Sequence, residues 1–581
     1  MTSKQKKTGA SQTLEILQQH GVTDIFGYPG GAIMPLYDAI YQSDIKHYLC
    51  RHEQGAAFAA VGYARASGKV GVCMATSGPG ATNLITGLAD AMADSIPIIA
   101  ITGQVATRAM GSDAFQEIDI IGLSYACTKH SFQVKELADL PHHINHAFKI
   151  AMSGRPGPVL IDIPKDIQIA EVSEALALVA KKNCSLTTRP EKARSRNQQL
   201  PCDFKLAAQL INQAKQPLLY IGGGVGMADS VDDLRKLMQL TQMPNVSTLK
   251  GLGATSLKDA NYLGMLGMHG SEASNLTIQK CDLMVVIGAR FDDRATGKLD
   301  EFAPNAKVIH MDIDPAEINK RRQVDVALIG NLNTTISELT KELKLSFKAE
   351  QITEWRDYCL GLQKQDRPYD EFDGAGIFAP RLLNQLSTSL AKQNIQQAKN
   401  YHVTTDVGQH QMWAAQHMRF DLPTQFISSS GLGTMGFGVP AAIGAKICKP
   451  DAQVVTVSGD GSFMMNVQEL ATIKRYQIPV KILLIDNSRL GLVRQWQQLF
   501  FEQRYSETDL SDNPDFVALA KAFDIEAESI EKNEQVEDAV ERMLNHQGAY
   551  LLHVKIDALE NVWPLVPPET ANDKMMVETG L

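Results

Sequence analysis

The chain has 581 residues, 56 Lys and Arg against 65 Asp and Glu, a formal charge of -9 and 44% hydrophobic residues. At about 150 residues per domain, this length predicts three or four domains with a large buried core. The acidic balance argues against nucleic-acid binding, and no apolar run reaches the roughly 18 residues of a membrane span. Eight cysteines without a CxxC pair favour a reducing compartment, so we expect a cytoplasmic protein that binds neither nucleic acid nor a membrane.

In chain order, the first clear pattern is a short strand at residues 22–26 that leads into the turn GYPGG. A second strand, at residues 46–50, precedes Glu53, which stands at the start of an alanine-rich helix. A carboxylate at a helix N-terminus commonly interacts favourably with the helix dipole and does nothing more. Position alone therefore gives Glu53 a structural role.

Residues 60–103 and 442–487 repeat one order of elements: a helix of small residues, a buried strand, an SGxG turn, a helix, a proline and a strand. This repetition predicts two similar α/β domains, one near each end of the chain. Pro79 stands in the first copy where Asp460 stands in the second. Only the second copy therefore carries a carboxylate at this turn.

A polar, basic passage, TTRPEKARSRNQQLP, separates the first repeat from a middle segment of alternating strands and helices. In this middle segment, the glycines at 222–224 follow an apolar strand, as in a nucleotide-binding turn. Asp229, however, stands where the GxGxxG pattern requires its last glycine. Asp312 follows a later strand and could accept from a ribose hydroxyl or act as a cap. The predicted organisation is an N-terminal domain at 1–170, a linker at 171–200, a central domain at 201–345, a linker at 346–378 and a C-terminal domain at 379–581.

The most informative stretch, residues 454–487, is an apolar strand ending in SGDG, a helix over 467–476 and an apolar strand ending in Asp486 and Asn487. A right-handed crossover brings Asp460 and Asn487 to the carboxyl edge of a parallel sheet, where such sheets bind ligands. A carboxylate and an amide oxygen suit Mg2+, which completes its coordination with diphosphate oxygens and water. A GDG alone is only a turn, but the Asn at this spacing predicts a metal and diphosphate site.

The GDG turn together with Asn487 resembles the thiamine-diphosphate signature, although Asp486 stands where the family usually has a first Asn. RHEQGAAFAAVGYARASG, LGMHG, GARFDDRATGKL, RPGPVLIDIPKDIQ and SGLGTMGFGVPAAIGA together resemble the catalytic large subunits of acetohydroxyacid synthases, most closely the bacterial isozyme II type. The resemblance covers about residues 11–568. It implies three doubly wound α/β domains of the thiamine-diphosphate enzyme type, with thiamine diphosphate, Mg2+ and a structurally required FAD as cofactors.

The resemblance also implies which residues hold these cofactors. Those for thiamine diphosphate are Pro29, Gly30, Glu53, Gln409, His410, Gly433, Met435, Gly459, Asp460, Gly461 and Ser462. Those for FAD are Gly222, Gly223, Thr248, Leu249, Met268, His269, Gly288, Arg290, Asp293, Arg294, Asp312 and Ile313. The Mg2+ ligands are Asp460, Asn487 and the backbone carbonyl of Arg489. In this family Glu53 would act on the aminopyrimidine nitrogen and Met435 would hold the coenzyme bent, whereas without the family context Met435 is a core residue.

Five residues are further implied to act on substrate. Phe115 and Gln116 would line the approach of the substrate, and Lys165 would lie near it. Arg294 would pair with the carboxylate of the second 2-oxoacid, a role that suits a forked guanidinium. The alternative is a structural ion pair with a neighbouring aspartate. Trp496 lies on a stretch that resembles the family's mobile loop and would favour 2-oxobutanoate as acceptor.

The activity implied is acetolactate synthesis: pyruvate is decarboxylated, and the two-carbon unit is condensed with pyruvate or 2-oxobutanoate. The products, 2-acetolactate and 2-aceto-2-hydroxybutyrate, begin isoleucine, valine and leucine biosynthesis. A homodimer or homotetramer with a separate small regulatory subunit is also implied. The alternatives are a pyruvate oxidase with the same cofactors, disfavoured by GARFDDRATGKL and Trp496, a glyoxylate carboligase, disfavoured by Glu53, and a non-catalytic scaffold, disfavoured by Glu53, Asp460 and Asn487.

Overall fold

The computed structural model describes residues 7–173, 202–256, 258–364, 376–397 and 400–577. Within these ranges, three parallel sheets of six strands follow one another along the chain. The first contains β1 Asp24–Gly27, β2 Lys46–Leu49, β3 Gly71–Ala75, β4 Ile98–Gln104, β5 His130–Gln133 and β6 Val159–Pro164. The second contains β7 Pro217–Ile221, β8 Asn245–Ser247, β9 Tyr262–Met265, β10 Leu283–Ile287, β11 Lys307–Asp312 and β12 Val326–Ile329. The third contains β13 Tyr401–Thr405, β14 Phe426–Ser428, β15 Gln453–Gly459, β16 Lys481–Asp486, β17 Glu526–Ile530 and β18 Tyr550–Lys555.

Helices accompany each sheet. Those of the first are α1 Gly9–Gln19, α2 Met34–Tyr41, α3 Glu53–Ser67, α4 Pro79–Asn83, α5 Ile85–Asp94, α6 Ile120–Ser124, α7 Leu140–Met152 and α8 Lys165–Ile169. Those of the second are α9 Phe204–Gln213, α10 Gly224–Met227, α11 Val231–Thr241, α12 Glu272–Lys280, α13 Asp293–Thr296, α14 Leu332–Lys344 and α15 Thr353–Gln363. Those of the third are α16 Ala379–Gln397, α17 Gln409–His417, α18 Gly438–Cys448, α19 Asp460–Met464, α20 Leu470–Tyr476, α21 Gly491–Phe500, α22 Phe516–Ala522 and α23 Val536–Asn545.

The strand orders confirm the predicted similarity of the two end domains. The first sheet has the order β2-β1-β3-β4-β6-β5 and the third has β14-β13-β15-β16-β18-β17, which is the same order when each is numbered from its own first strand. The second sheet, β12-β11-β10-β7-β8-β9, has the order of the dinucleotide-binding fold, 3-2-1-4-5-6. The predicted class of three doubly wound α/β domains is therefore confirmed.

The central strands are apolar because helices cover both of their faces. Every residue of β3, β4, β6, β7, β10, β15 and β16 is buried, as expected for parallel strands inside an α/β domain. One core cluster runs without a break from the N-terminal to the C-terminal domain and contains residues of both α3 and α18. The two end domains therefore share part of their core.

Helices α3 and α18 cross on two glycines at this shared core. A Cβ added at Gly444 would lie 1.8 Å from the carbonyl oxygen of Ala59, and one added at Gly62 would lie 2.1 Å from that of Ala441. Real Cβ atoms do not approach backbone so closely, so a side chain here would force the helices apart. The crossing thus requires glycine for space rather than for backbone conformation.

Gly444→Val is therefore expected to lower the apparent midpoint of thermal unfolding, because overpacking a closely packed contact costs about 1–3 kcal/mol. The matched control is Gly361→Val in helix α15, where an added Cβ meets nothing within 4 Å. Differential scanning calorimetry of both variants measures the difference. Equal midpoints for the two variants would contradict the close crossing.

Three local predictions need correction. The helix predicted over 467–476 is divided into a 3-10 turn, Val467–Glu469, and α20, and the SGDG turn runs directly into the short helix α19. The stretch expected to be a linker at 346–378 contains helix α15, whose Trp355 Nε1 donates to the Pro217 carbonyl at 3.0 Å. Trp355 belongs to the core of the central domain, which the polar sequence around it conceals.

Two further predictions concern the first linker and membrane-spanning segments. The basic passage and most of the first predicted linker lie outside the described residues. Where the chain is described, no helix has both the length and the apolar character needed to cross a membrane. The seven cysteines of the described ranges are free in this structure.

Candidate active site

A cavity of about 80 Å³ lies at the carboxyl edge of the third sheet, at the ends of β15 and β16. These strands are neighbours in parallel register, so the residues that follow them emerge side by side. Nine of the residues predicted to bind thiamine diphosphate or metal line it: Gln409, His410, Met435, Gly459, Asp460, Gly461, Ser462, Asn487 and Arg489. Gly433 lies two residues before Met435, in a loop with φ of 72°.

The predicted metal ligands are buried and held by hydrogen bonds. Asp460 is 2% exposed, and its Oδ2 accepts from Asn513 Nδ2 at 2.8 Å. Asn487 donates from Nδ2 to Gln409 Oε1 at 3.0 Å, while its Oδ1 accepts from the backbone N–H of Arg489 at 3.1 Å. The hydrogen bond to Gln409 fixes the orientation of the amide of Asn487.

The electrostatics of this edge favour a cation. Burial, together with the neighbouring Asp486, raises the pKa of Asp460 to about 8. Although burial opposes it, hydrogen bonds from His553 and Ser488 hold the pKa of Asp486 below its usual value. His553 Nε2 donates to Asp486 Oδ2 at 2.9 Å. Two neighbouring buried carboxylates are fully ionised at neutral pH only with a positive charge beside them, so the donor set fits Mg2+.

Glycines bring the backbone of the cavity wall close to His410 and Gln409. A Cβ added at Gly459 would lie 2.6 Å from His410 Nδ1, and one added at Gly491 would lie 1.9 Å from Gln409 Oε1. His410 is 6% exposed, and its Nε2 has no hydrogen-bond partner among the described residues. Burial lowers its pKa to about 3, so the imidazole is neutral, and its hydrogen bond to the backbone of Asp406 leaves Nε2 as an acceptor.

Glu53 lies elsewhere, at the carboxyl edge of the first sheet, and does not line this cavity. It is the first residue of α3, is 9% exposed, and accepts from Asn83 Nδ2 through Oε2 at 2.9 Å. A Cβ added at Gly80 would lie 3.2 Å from Glu53 Oε1. Pro29 and Gly30 share this edge, since a Cβ at Gly30 would lie 2.5 Å from the Thr76 side chain. Within one chain, Glu53, Pro29 and Gly30 therefore lie at a different sheet edge from the cavity and do not line it.

The residues predicted to act on substrate do not line the cavity of the same chain. Phe115 is 88% exposed, and the carbonyl of Gln116 would lie 2.8 Å from a Cβ on Gly78, which places both at the edge of the first sheet. Lys165 is the exposed first residue of α8, directly after β6. These three residues share the carboxyl edge of the first sheet with Glu53.

Arg294 and Trp496 lie on the other two domains. The guanidinium of the exposed Arg294 contacts the sulfur of Met268 at 3.5 Å, and in the described part of the chain it forms no ion pair with a neighbouring aspartate. Trp496 lies on α21, whose first residues line the cavity, and its ring packs edge-on against Phe500 at 5.6 Å. The expected mobile loop is therefore helical around Trp496, because the stretch is amphipathic at helical spacing.

The residues predicted to bind FAD collect at the carboxyl edge of the second sheet. Gly222 and Gly223 follow β7 and Gly288 follows β10, the two strands between which the order of the sheet reverses. A Cβ on Gly222 would lie 2.2 Å from the carbonyl of Gly288, so the two turns touch. The other predicted flavin residues follow β8, β9, β10 or β11, except Asp312, which is the last residue of β11. They are Thr248, Leu249, Met268, His269, Arg290, Asp293, Arg294, Asp312 and Ile313.

Asp312 and His269 are both buried at this edge but differ in their hydrogen bonds. Asp312 Oδ1 accepts from the Asp314 amide at 2.8 Å, so it acts as a local cap, and burial raises its pKa. His269 Nδ1 lies 3.1 Å from the Pro564 carbonyl, and its Nε2 has no hydrogen-bond partner in the described ranges. Burial lowers the pKa of His269 to about 4. A reversal crevice with a free buried ring nitrogen fits a dinucleotide such as FAD.

Sequence reasoning missed three residues that hold the predicted site residues in place. Asn83 orients Glu53, Asn513 orients Asp460, and His553 holds Asp486. Each is 30 to 67 positions away from its partner along the chain, and no local motif marks it. Only Asp486, which departs from the expected Asn-Asn ending, gave a signal that a compensating partner was needed.

Three parallel-sheet domains, with a cavity lined by Asp460 and Asn487 at one sheet edge, are the arrangement expected of a thiamine-dependent enzyme. Residues 7–123, 204–339 and 406–554 match, in turn, the N-terminal TPP binding domain, the central domain and the C-terminal TPP binding domain of thiamine pyrophosphate enzymes. Within that class, the chain belongs to the family of acetolactate synthase large subunits.

The similarity to that family extends over the whole chain. The chain is 56% identical over 568 residues to the acetolactate synthase isozyme 2 large subunit of Escherichia coli K12, covering 98% of this chain and 99% of the relative. It is 46% identical over 584 residues to the acetolactate synthase large subunit of Pyropia yezoensis, covering 98% and 95%. It is 45% identical over 561 residues to the probable acetolactate synthase large subunit of Methanocaldococcus jannaschii, covering 96% and 93%.

Proposed function

We propose that this chain catalyses acetolactate synthesis: it decarboxylates pyruvate and condenses the two-carbon unit with pyruvate or 2-oxobutanoate. The products are 2-acetolactate and 2-aceto-2-hydroxybutyrate, the first common precursors of the branched-chain amino acids. The observation that carries the proposal is the cavity that joins Asp460, Asn487 and His410 in a chain similar throughout to acetolactate synthase large subunits. The donors support a thiamine-dependent reaction, and the family supports acetolactate synthesis in particular.

The residues of the cavity have the chemistry to hold thiamine diphosphate and Mg2+. Asp460, Asn487 and the carbonyl of Arg489 would bind the metal, and Gln409 and His410 would face the diphosphate. Bound thiamine diphosphate supplies a nucleophilic carbon and an acceptor for the electron pair that decarboxylation releases. The chain's own part is to hold the metal and the phosphates and to exclude water from the cavity.

Glu53 would hold or release a proton at the aminopyrimidine nitrogen, with Asn83 fixing its carboxylate. Because Glu53 does not line the cavity of its own chain, a second copy of the chain would have to supply it. The same partner would present the exposed Phe115, Gln116 and Lys165 to the substrate. We therefore propose a homodimer, or a homotetramer built from such dimers, together with a separate small regulatory subunit.

FAD would lie at the reversal crevice of the second sheet, along the turns at Gly222 and Gly288. His269 Nε2, buried and without a partner in the described ranges, could accept from it, because Nδ1 donates to the Pro564 carbonyl. The guanidinium of Arg294 is exposed and forms no ion pair with the neighbouring aspartates of the described chain. It could therefore bind the carboxylate of the second 2-oxoacid.

The experiment that tests the proposal supplies purified chain with pyruvate, thiamine diphosphate, Mg2+ and FAD and identifies the products. Acetolactate without hydrogen peroxide is the expected result. Hydrogen peroxide with acetate or acetyl phosphate would instead establish the pyruvate oxidase alternative. No product at all, even with a candidate small subunit, would favour the non-catalytic scaffold.

Trp496→Leu is expected to lower the preference for 2-oxobutanoate over pyruvate as acceptor. The indole is half-buried on the helix that begins at the cavity, so it can offer an apolar surface to the extra methylene. One methylene in an apolar pocket is worth about 1–3 kcal/mol, or about 10- to 200-fold in preference. The ratio of the two products from mixed substrates measures the change, and Phe501→Leu, an exposed aromatic beyond the same helix, is the control. A product ratio equal to that of the wild type would refute the role of Trp496.

A further inference from the structure

Two buried aspartates end helix α5 at the point where all three domains meet. Asp90 is fully buried, Asp94 is 3% exposed, and they lie one turn apart on the last turn of the helix. Like charges at this spacing repel each other, and a carboxylate is unfavourable at the C-terminal end of a helix dipole. The pair therefore lowers the stability of helix α5. Its position is explained by the contacts that both aspartates make with other parts of the chain.

Asp94 holds the loop that leads into the thiamine cavity. Its Oδ2 accepts from the backbone N–H of Ser430 at 3.1 Å, and its Oδ1 accepts from that of Gly431 at 2.8 Å. A Cβ added at Gly431 would lie 2.9 Å from the carbonyl of Ala93, so the loop rests directly on the end of α5. Met435, which lines the cavity, follows four residues after Gly431.

Asp90 fastens the far end of the same loop. Its Oδ1 accepts from the hydroxyls of Ser429 and of Thr434, the latter at 3.2 Å. The Ser429 hydroxyl also accepts from the backbone N–H of Thr434 at 2.8 Å, which closes the loop on itself. Residues 429–434 are thus bound at both ends by one helix of the N-terminal domain.

Lys250 joins the central domain to this cluster. Its Nζ donates to the carbonyl of Asp94 at 2.6 Å and lies 3.3 Å from Asp94 Oδ1, and the side chain is 13% exposed. Lys250 belongs to the 3-10 turn Leu249–Gly251, directly after Thr248. A Cβ on Gly223 would lie 2.8 Å from the Cβ of Lys250, so this lysine packs against the turn proposed for the flavin.

The charges of the cluster depend on one another. Burial, and then the neighbouring Asp94, raise the pKa of Asp90 to about 7. Burial lowers the pKa of Lys250 to about 7, against the attraction of Asp94. Arg65, whose guanidinium donates to the Phe426 carbonyl at 2.9 Å, adds a partly buried cation close enough to interact with both aspartates. Removing one member of such a buried set leaves the others uncompensated.

We propose that Lys250 and Asp94 form a positioning pair that couples the flavin site of the central domain to the thiamine site of the C-terminal domain. The inference rests on the proposed function, because it takes its two ligands from it. Flavin at the Gly223 turn would pack near the stem of Lys250, whose ammonium binds Asp94, and Asp94 in turn binds the loop that precedes Met435. Each cofactor then tightens the binding of the other by the same factor, as reciprocal linkage requires.

The test measures the dissociation constant of thiamine diphosphate with Mg2+ by calorimetry, using the full chain with and without saturating FAD and no substrate. The wild type is expected to bind thiamine diphosphate about 5- to 150-fold more tightly with FAD. Lys250→Met and Asp94→Asn are expected to reduce that factor to about one, while Lys250→Arg, which keeps the charge and a donor, recovers part of it.

Asp421→Asn is the matched control, since Asp421 pairs with Arg235 across the central and C-terminal domains at 3.3 Å and does not touch the loop. It is expected to keep the coupling of the wild type. Full coupling in a folded Lys250→Met, or no coupling in a wild type that binds both cofactors, would overturn the inference alone. A wild type that binds neither cofactor would overturn the proposed function as well.

Discussion

Replacing Glu53 by Gln is expected to leave the fold intact and to lower the turnover of pyruvate by at least about 100-fold. Proton transfer by a positioned carboxyl group contributes about 100- to 10,000-fold in enzymes of this kind. Glutamine keeps the size of the side chain and can still hydrogen-bond with Asn83, but it cannot release or accept the proton. Steady-state kinetics with pyruvate, together with the thermal midpoint, measure the two expectations.

Glu136→Gln, an exposed glutamate of the same domain, is the control and is expected to keep the wild-type rate. Thiamine diphosphate is still expected to bind Glu53→Gln, because the proposed metal and diphosphate contacts of the cavity are unchanged. Turnover within about threefold of the wild type would remove Glu53 from the chemistry.

Replacing Asp460 by Asn is expected to abolish the dependence of cofactor binding on Mg2+ and to weaken binding by at least about 100-fold. Losing even the residues that only orient a metal ligand commonly costs 10- to 100-fold in metal affinity, and Asp460 is the one carboxylate of the proposed ligand set. The amide conserves the shape of the side chain and its place beside Asn513. Titration of thiamine diphosphate at several Mg2+ concentrations measures the effect.

Asp451→Asn, an exposed aspartate just before β15, provides the control for the change of charge. It is expected to bind cofactor and metal as the wild type does. An Asp460→Asn variant with an unchanged Mg2+ requirement would show that the metal is held elsewhere.

The two variants together test whether a site is built by two copies of the chain. If Glu53 of one copy serves the cavity of another, a mixed dimer of Glu53→Gln and Asp460→Asn contains one site with both residues intact. When the two inactive variants are refolded together or co-expressed, each mixed dimer is expected to have up to about half of the activity of a wild-type dimer. No recovery in a mixture shown to contain mixed dimers would place both residues in the same chain.

The features predictable from sequence were those encoded by local patterns. Apolar strands such as β15 and β16 bury both faces, so their runs of β-branched residues were visible, and the positions of Asp460 and Asn487 after them followed. The repetition of elements indicated two similar domains, and the sheets have the same strand order. Gln409 and His410 carry no local signal, and only the family resemblance pointed to them.

The features that sequence concealed depend on contacts between distant parts of the chain. Lys250 is 156 positions from Asp94, and Ser429 is 339 positions from Asp90, so no local pattern joins the cluster at the three-domain junction. The helix around Trp355 was hidden because only its Trp and Cys are buried. Glycine in SGDG indicated a turn, but helix α19 begins there because Asp460 follows a fully paired strand directly.

The most direct test of the proposed reaction is the ratio of pyruvate consumed to carbon dioxide released by the purified chain supplied with thiamine diphosphate, Mg2+ and FAD. Condensation with a second 2-oxoacid predicts two molecules of pyruvate consumed per carbon dioxide and per acetolactate formed, with no uptake of oxygen. One molecule of pyruvate per carbon dioxide, with oxygen consumed and peroxide formed, would contradict the account and establish an oxidase.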